Sequence, residues 1–325
     1  MPRLTFGALI CAVIGILAGI SAAATAQEYP VRTVKIVVPF AAGGPADIYA
    51  RFIAQRLQDA LGQAFVVEDL PGAGSIIGTD QVAKSPPDGY RLLLMSNTHT
   101  VNESLFKDKP FQLMRDFVPI APLNYSDLVL VVKPALAVNN LRDMLNLAKQ
   151  KPEALSYASS GPGTPYHMAG ELFKSMAGVS ILHVPYKGSS GARVDVLGGQ
   201  VDMMFDAITT MSDFIRSGKV KALGTTGRTR SAILPDVPTV SEAGVPGYEA
   251  VIWLGLLAPR NTPPAIINKL NAEITRIVLK PDVRAAWAKQ GAMPMTMTPG
   301  EFTQFINDDI AKWAHIVRIS GAKPD

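Results

Sequence analysis

The sequence predicts an α/β fold, because short apolar strands alternate with amphipathic helices along most of the chain. The strand at 34–38, for example, is followed by a run at 48–61 whose apolar residues recur at helical spacing. Two strand-to-helix turns are rich in glycine, and they fall in different halves of the chain, at 39–47 and 159–167. This alternation favours parallel-rich sheets covered on both faces, with ligands beyond the carboxyl ends of the strands. At 325 residues, two domains, or one domain interrupted by another, are expected.

The first glycine-rich turn has the features of an anion site. Gly43 and Gly44 carry no Cβ, so a ligand can come close to their backbone. Pro45 takes the first helical position, where a missing N–H does no harm. The N–H groups of such a helix start lack intrahelical partners and form the positive end of the helix dipole. A carboxylate is the expected occupant, although packing alone is another reason for a Gly-Gly pair at such a turn.

The second glycine-rich turn repeats this design. The strand at 155–158 ends, glycines reverse the chain, Thr164 is placed to cap the next helix, and Pro165 follows at its first position. Two such helix starts can offer one anion backbone donors from opposite walls of a cleft. His167 lies early in this helix, where it either bonds local backbone or contacts the ligand.

The N-terminal residues have the pattern of a secretory signal peptide (1–26): Arg3, an apolar run at 4–20, and small residues ending at Ala26. We expect cleavage after Ala26; an uncleaved anchor is the alternative, because the apolar stretch is long enough to span a bilayer. The single cysteine, Cys11, would leave with the signal, so no disulfide is expected in the exported chain. The net charge of +4 is scattered, without a basic block, and predicts no nucleic-acid partner.

A third glycine pattern, at 71–78, has the spacing G-x-G-x-x-x-G but does not fit a dinucleotide fingerprint. It follows the second strand (65–68) rather than the first, and the next strand does not end on an acidic residue. A Pro-Gly turn that leads into a helix at 76–84 is the expected structure. The other predicted strands are 90–95, 117–120, 128–132, 155–158, 181–186, 201–205, 220–223 and 251–257, and the other helices begin near 98 or cover 141–150, 165–177, 192–197, 211–217, 264–279, 282–290 and 299–319.

Polar side chains follow two of these strands at their carboxyl ends. Ser96, Asn97 and Thr98 offer hydroxyls and an amide where a helix begins. Asp206 could accept a hydrogen bond from a ligand hydroxyl or ammonium group, or equally cap the next helix. The four histidines show no i, i+4 or H-x-H spacing, so we predict no metal site, and no motif predicts a cofactor.

With both glycine-rich loops in view, the chain resembles the Bug-type substrate-binding proteins of tripartite tricarboxylate transporters. The resemblance implies an α/β, two-domain periplasmic binding protein type II (Venus flytrap) fold with a ligand cleft between the domains. We expect one domain from 27–125 plus 250–325 and the other from 126–249. The resemblance also implies a periplasmic monomer that closes on a small organic acid (a mono- or dicarboxylate) and delivers it to a permease of one large and one small membrane subunit. The matching stretches cover nearly the whole mature chain: PFAAGGPAD (39–47), PGAGSIIG (71–78), PDGYRLLL (87–94), SSGPGTPYHMAGELF (159–173), HVPYKG (183–188), LGGQVDMMFD (197–206) and LPDVPTVSEAGVPGYE (234–249).

In that family the two loops bind a ligand carboxylate through backbone amides and ordered waters. One departure concerns ligand polarity: Pro45-Ala46 stands where many members carry Ser-Thr or a similar polar pair, which disfavours a strongly polar ligand such as citrate. Tyr166 could favour an aromatic or longer aliphatic acid. The implied site residues on this sequence are Phe40, Ala42, Gly43, Gly44, Asp47, Ser96, Asn97, Thr98, Ser160, Gly161, Gly163, Thr164, His167 and Asp206.

An exported hydrolase is a second hypothesis, since serine, histidine and aspartate are all present. The G-x-S-x-G nucleophile elbow is missing, because the glycine–serine stretches at 72–75 and 188–191 both have the wrong spacing. We therefore predict a protein that is not an enzyme. A third hypothesis, a ligand sensor for a membrane signalling partner, would use the same pocket as the transport protein.

Overall fold

A computed structural model describes residues 28–320 and 322–323 of the chain. Residues 28–31 contain no helix or strand, and the chain from Arg32 onward forms one compact unit. The predicted signal peptide lies outside the described residues. Within the described part, no helix is both long enough and apolar enough to cross a bilayer.

The elements alternate as the sequence predicts. The strands are β1 (Val34–Val38), β2 (Phe65–Asp69), β3 (Arg91–Ser96), β4 (Phe117–Val132), β5 (Ser156–Ser159), β6 (Leu182–Pro185), β7 (Met203–Ala207), β8 (Lys221–Thr225), β9 (Val251–Pro259) and β10 (Ala292–Pro294). The helices are α1 (Pro45–Leu61), α2 (Ile76–Ala83), α3 (Asn97–Leu105), α4 (Leu113–Asp116), α5 (Leu141–Gln150), α6 (Pro165–Ala177), α7 (Ser189–Leu197), α8 (Ile208–Arg216), α9 (Val240–Ala243), α10 (Pro264–Val278), α11 (Pro281–Ala288) and α12 (Pro299–Ser320). A 3₁₀ turn at Ala73–Ser75 precedes α2.

These strands form one sheet with the order β2-β1-β3-β9-β4-β7-β5-β6, and β8 and β10 also pair with β4. The pairs near its two ends are parallel: β1 with β2 and β3, and β5 with β6 and β7. Every pair that includes β4 or β9 is antiparallel. The sheet is therefore mixed rather than parallel-rich throughout, because two antiparallel strands run through its centre.

Strand β4 is the long central strand, and it joins the two parallel regions. Its residues 117–127 pair with β9, and residues 128–132 pair with β7 and β8. The sequence analysis predicts two short strands here, 117–120 and 128–132, separated by Pro122 and a polar stretch at 124–127. The structure accommodates Pro119 and Pro122 at register shifts in the pairing with β9.

Apolar side chains cover both faces of the sheet at this end of β4. Leu128 and Leu130 join one core cluster, and Val129 and Val131 join another on the opposite face. A separate cluster around Trp253 and the start of α12 packs on the other parallel region. The helices thus hold both groups of parallel strands, and their carboxyl ends, in fixed positions.

Candidate ligand-binding site

A cavity of about 370 Å³ lies where several strands end and the next helices begin. Its size is that of a small-molecule site. Of the predicted site residues, it brings together Phe40, Gly44, Ser96, Thr98, Ser160, Gly161 and Thr164. The other residues in its wall are Pro39, Ala41, Pro45, Ala46, Pro71, Gly72, Ala73, Gly74, Ser75, Phe106, Pro162, Pro165, Tyr166, Pro185, Tyr186, Lys187, Gly188, Ser189, Ile252 and Leu254.

The first glycine loop is held in shape by its own helix. Gly43 has a φ of +78°, and its N–H donates to Asp47 Oδ2 at 2.9 Å. Asp47 is buried and also pairs with Arg51 at 2.6 Å. Ala42, Gly43 and Asp47 lie outside the cavity wall, so Asp47 positions the loop. The N–H groups that a ligand can use are those after Gly43, because no side chain caps α1 at its N-cap, Gly44.

The second glycine loop has the same construction. Gly163 has a φ of +72°, and its N–H donates to His167 Nδ1 at 3.0 Å, four residues along the chain. Thr164 caps α6. Gly163 and His167 lie outside the wall, whereas Ser160, Gly161 and Thr164 belong to it. Here the structure favours the local role for His167, bonding the loop backbone.

The His167 ring is buried and stacks on His183, with ring centroids 4.1 Å apart and planes 9° from parallel. Burial lowers its pKa to about 3, and the nearby His183 and Lys174 lower it further in the same direction. The ring is therefore neutral near pH 7. In the neutral ring, the tautomer with its proton on Nε2 leaves Nδ1 able to accept the Gly163 N–H.

The start of α3 is built around His99. The Ser96 side chain accepts from Thr98 N–H at 3.1 Å, and the Ser96 N–H donates to His99 Nδ1 at 3.2 Å. His99 Nε2 lies 3.0 Å from Thr79 Oγ1, which donates to the Ser75 carbonyl at 2.8 Å. Burial lowers the pKa of His99 to about 4, so its neutral ring ties two segments of the wall together.

Two further predicted residues lie beside the site rather than in its wall. Asn97 donates from Nδ2 to the Val251 carbonyl at 3.0 Å. Asp206 is fully buried, accepts from Arg193 Nε at 2.9 Å and from Ala207 N–H at 2.8 Å, and so neither caps α8 nor borders the cavity. Burial raises the pKa of Asp206, and the Arg193 guanidinium opposes that rise. Direct ligand contacts of these residues stay a prediction.

Besides Phe106, which ends α3, the sequence analysis missed three parts of the wall. One is the start of α7, where Gly188 is the N-cap and makes no side-chain cap bond. Its signal is the pattern HVPYKGS, a strand followed by glycine and a helix, as in the two predicted loops. The second is the 3₁₀ turn at Ala73–Ser75, predicted only as a turn. The third is Ile252 with Leu254, whose apolar run carries no signal of a ligand.

The loops of the two parallel regions touch each other across the cavity. Ser190 Oγ donates to the Ala42 carbonyl at 3.3 Å. A Cβ built on Gly188 would lie 2.6 Å from Ala41 Cβ, and one built on Gly163 would lie 2.6 Å from Asn102 Oδ1. These approaches require glycine, and the cavity lies between the two sets of loops.

The charge of the wall is one-sided. Among the wall residues that the structure describes, none is acidic, and Lys187 is the charged one. Helices α1, α3, α6 and α7 all begin at the cavity, so each contributes the positive end of its dipole. The α1 and α7 starts also have N–H groups that no side chain caps. This arrangement can bind an anion through backbone donors.

Residues 49–321 match the family model described as "Tripartite tricarboxylate transporter family receptor". The chain belongs to this receptor family. It is 40% identical to Protein BugT of Bordetella pertussis over 319 residues, which cover 97% of this chain and 98% of that protein. Relatives of this length confirm the resemblance to the Bug-type proteins.

Two solved structures have the same fold. "R. palustris Rpa4515 with adipate" superposes with a TM-score of 0.88 at 33% identity, covering 91% of this chain and all of that one. "Structure of periplasmic binding protein BugD" gives a TM-score of 0.86 at 35% identity, with 91% of this chain and 100% of that one covered. The predicted two-lobed type II fold is thereby confirmed.

Proposed function

We propose that this receptor captures a small organic carboxylate between two lobes in the periplasm and delivers it to a tripartite tricarboxylate transporter permease. The observation that carries the proposal is the convergence of the uncapped starts of α1 and α7 on a cavity without an acidic wall residue. A carboxylate there would accept hydrogen bonds from fixed backbone donors, which are stronger away from bulk water.

The apolar part of the wall determines the polarity expected for the ligand beyond its carboxylate. Phe40, Ile252 and Leu254 offer aromatic and aliphatic surface, next to serine and threonine hydroxyls and the single charge of Lys187. A compact apolar body with a carboxylate suits this wall better than a citrate-like ligand with several charges. The adipate of the R. palustris relative has an apolar chain, although it carries a carboxylate at each end.

Hinge opening would separate the two sets of loops, and hinge closure would bring them together again. The lobes we propose are 27–125 with 250–325, and 126–249. Strands β4 and β9 pass near both boundaries, because 125–127 and 250–251 lie in or beside their paired region. A ligand that touches both sets of loops stabilises the closed form by its greater affinity for that form.

The proposal includes export and the absence of catalysis. The first 26 residues supply the signal, and a mature chain beginning at Gln27 is expected by mass spectrometry of a periplasmic extract. A serine–histidine contact does exist, Ser159 Oγ to His183 Nε2 at 2.7 Å. Ser159 is fully buried and lies outside the cavity wall, so it is not placed to attack a ligand.

A thermal-shift screen followed by calorimetry tests the proposal on the exported chain. The screen covers mono-, di- and tricarboxylates and aromatic acids, and each binding acid is compared with its carboxamide of the same skeleton. A bound acid at 100 times its dissociation constant adds about 2.7 kcal/mol to the free energy of unfolding. The carboxamide, which lacks the charge, is expected to bind far more weakly. No stabilising acid in the screen, or equal binding of acid and carboxamide, would overturn the proposal.

A further inference from the structure

One arginine outside the cavity wall contacts two acidic residues on different elements. Arg51, in the second turn of α1, has its Nε 2.6 Å from Asp47 Oδ1 and donates from Nη2 to Asp69 Oδ2 at 2.8 Å. Asp47 is the residue whose Oδ2 accepts the Gly43 N–H of the first glycine loop. Asp69 is the last residue of β2. Arg51 therefore connects the first glycine loop with the end of a strand.

The end of β2 is where another part of the wall begins. Asp69 is the register partner of Val38 on β1, and the next residue, Leu70, donates its N–H to the Val38 carbonyl at 2.8 Å. Beyond these residues both segments enter the cavity wall, at 39–41 and 71–75. A side chain bound to Asp69 is therefore placed to set the spacing of these two wall segments.

The two aspartates form a pair of like charges on either side of Arg51. Asp47 is buried, and Asp69 Oδ1 is buried without a hydrogen-bond partner among the described residues. Burial raises the pKa of Asp69 and the nearby Asp47 carboxylate raises it further, whereas the Arg51 guanidinium opposes the rise. Without the guanidinium, two ionised carboxylates would repel each other in a partly buried place.

The other charged side chains at this end of β2 are paired elsewhere. Glu68, next to Asp69, pairs with Lys35 at 3.4 Å and with Arg91 at 2.9 Å. Successive side chains of a strand point to opposite faces, so this group of three lies across the sheet from Asp69. Among the described residues, Arg51 is therefore the cation that contacts both aspartates.

We infer that Arg51 is a positioning residue for ligand binding: by bridging Asp47 and Asp69, it holds the first glycine loop and the 71–75 segment at the spacing that the ligand requires. The inference rests on the proposed function, in which N–H groups at the start of α1 bind a carboxylate. Arg51 itself lies outside the wall, and its side chain is 54% exposed. Its effect on the ligand is therefore indirect, through the loop that Asp47 holds.

Calorimetry at two pH values tests the inference. The probe is adipate or, if adipate does not bind, the acid that binds most tightly in the screen. Arg51→Gln leaves two ionised and unbridged carboxylates at pH 8, so its affinity is expected to fall about tenfold, as for the loss of one charged hydrogen bond. At pH 5 the pair takes up a proton that relieves the repulsion, and the loss is expected to shrink to about threefold or less. The ratio of variant to wild-type affinity is compared at each pH, because the acid itself titrates.

A second substitution separates loop positioning from general damage. In Arg51→Gln/Asp69→Asn the repulsion is gone and Asp47 keeps its charge, so the affinity is expected to return to within about threefold of wild type at both pH values. Asp69→Asn alone is expected to stay within about twofold of wild type. Arg56→Gln is the matched control, because Arg56 lies on the same helix but pairs with Asp282 at 3.0 Å. Its affinity is expected to equal that of wild type.

Amide hydrogen exchange at Gly43 provides a readout that needs no ligand. Because the Gly43 N–H donates to Asp47 Oδ2, NMR is expected to show slow exchange of this amide in wild-type protein. The protection is expected to fall at least about tenfold in Arg51→Gln at pH 8 and to return in Arg51→Gln/Asp69→Asn. Protection factors are compared, because intrinsic exchange depends on pH. Far-UV circular dichroism and the unfolding midpoint check that each variant is folded.

The outcomes distinguish this inference from the proposed function. The positioning role is overturned by an unprotected Gly43 amide in wild type, by wild-type affinity in Arg51→Gln, or by a loss that is equal at both pH values and persists after Asp69→Asn is added; the carboxylate receptor then stands. If Arg51→Gln does not fold, the double variant decides: a folded protein with near-wild-type affinity supports the inference, and an unfolded one overturns it. Failure of every acid in the screen overturns the proposed function, while exchange at Gly43 still decides whether Arg51 holds the loop.

Discussion

Replacing Gly163 with alanine tests whether the two sets of loops must approach each other closely for binding. Gly163 has a φ of +72°, a conformation that costs an alanine about 1 kcal/mol. Its new Cβ would also lie 2.6 Å from Asn102 Oδ1 and 2.9 Å from Leu105 Cδ2. Asn102 cannot turn away freely, because its Nδ2 donates to the Gly74 carbonyl at 2.7 Å. Relief of this overlap costs a further 1–3 kcal/mol, roughly the range for overpacking in a buried place.

Gly178 provides the matched control. Its φ is +62°, but a Cβ there has nothing within 4 Å. Gly178→Ala therefore carries the backbone cost alone and is expected to lower the free energy of unfolding by about 1 kcal/mol without changing ligand affinity. Gly163→Ala carries the overlap only while α3 lies against the loop. Its ligand affinity is therefore expected to fall about 5- to 150-fold, the equivalent of 1–3 kcal/mol.

Calorimetry with the acid that stabilises the protein most measures the affinities, and urea unfolding without ligand measures the backbone cost. An affinity of Gly163→Ala equal to that of Gly178→Ala would show that ligand binding does not need the Gly163–Asn102 approach. The picture of a ligand enclosed between the two sets of loops would then be wrong.

Three further predictions concern charge and conformation. The imidazoles of His99 and His167, with pKa values lowered to about 4 and about 3, are expected to stay neutral at pH 5 in a ¹⁵N NMR titration. Because the unfolded chain binds these protons below pH 6.5, each histidine then lowers the free energy of unfolding by about 2 kcal/mol at pH 5, and a charged ring at that pH would contradict the assignment. Lys187→Gln is expected to weaken acid binding by up to about fivefold at low salt and less at 0.3 M salt; an effect that salt does not change would argue against a charge effect. Trp253 is buried and lies on β9 between the wall residues Ile252 and Leu254 in sequence, so ligand binding is expected to change its fluorescence, and a signal that survives in Trp253→Phe would come from elsewhere.

Local pattern was sufficient to predict most of the elements and both glycine loops. Helix α5 has the predicted bounds 141–150, with Asn140 as its cap and buried residues at helical spacing. The long strand β4 was predicted as two strands, 117–120 and 128–132, because Pro122 and the polar residues at 124–127 separate the two apolar runs. Pro119 and Pro122 fit within β4 because the pairing with β9 shifts in register beside each of them, and β9 lies more than 100 residues away in the chain.

The candidate site was predicted in part for a similar reason. Gly44, Thr164 and Thr98 line the cavity as expected, since each lies at a helix start that the sequence signals directly. Asp47 and His167 have the same local signal, but they bond their own loops instead of lining the cavity. Which side of a loop faces the ligand depends on the packing of distant segments, and one sequence does not encode that choice in a recognisable motif.

Both glycine loops direct one amide to a side chain four residues farther along, and this has an energetic consequence. These hydrogen bonds are present without a ligand, so the loops they hold lose less conformational entropy when a ligand binds. With preorganised loops, the proposed binding of the ligand's acid group does not depend on the rest of the ligand. Substitutions elsewhere in the wall can then change which ligand is bound while the two loops keep their shape.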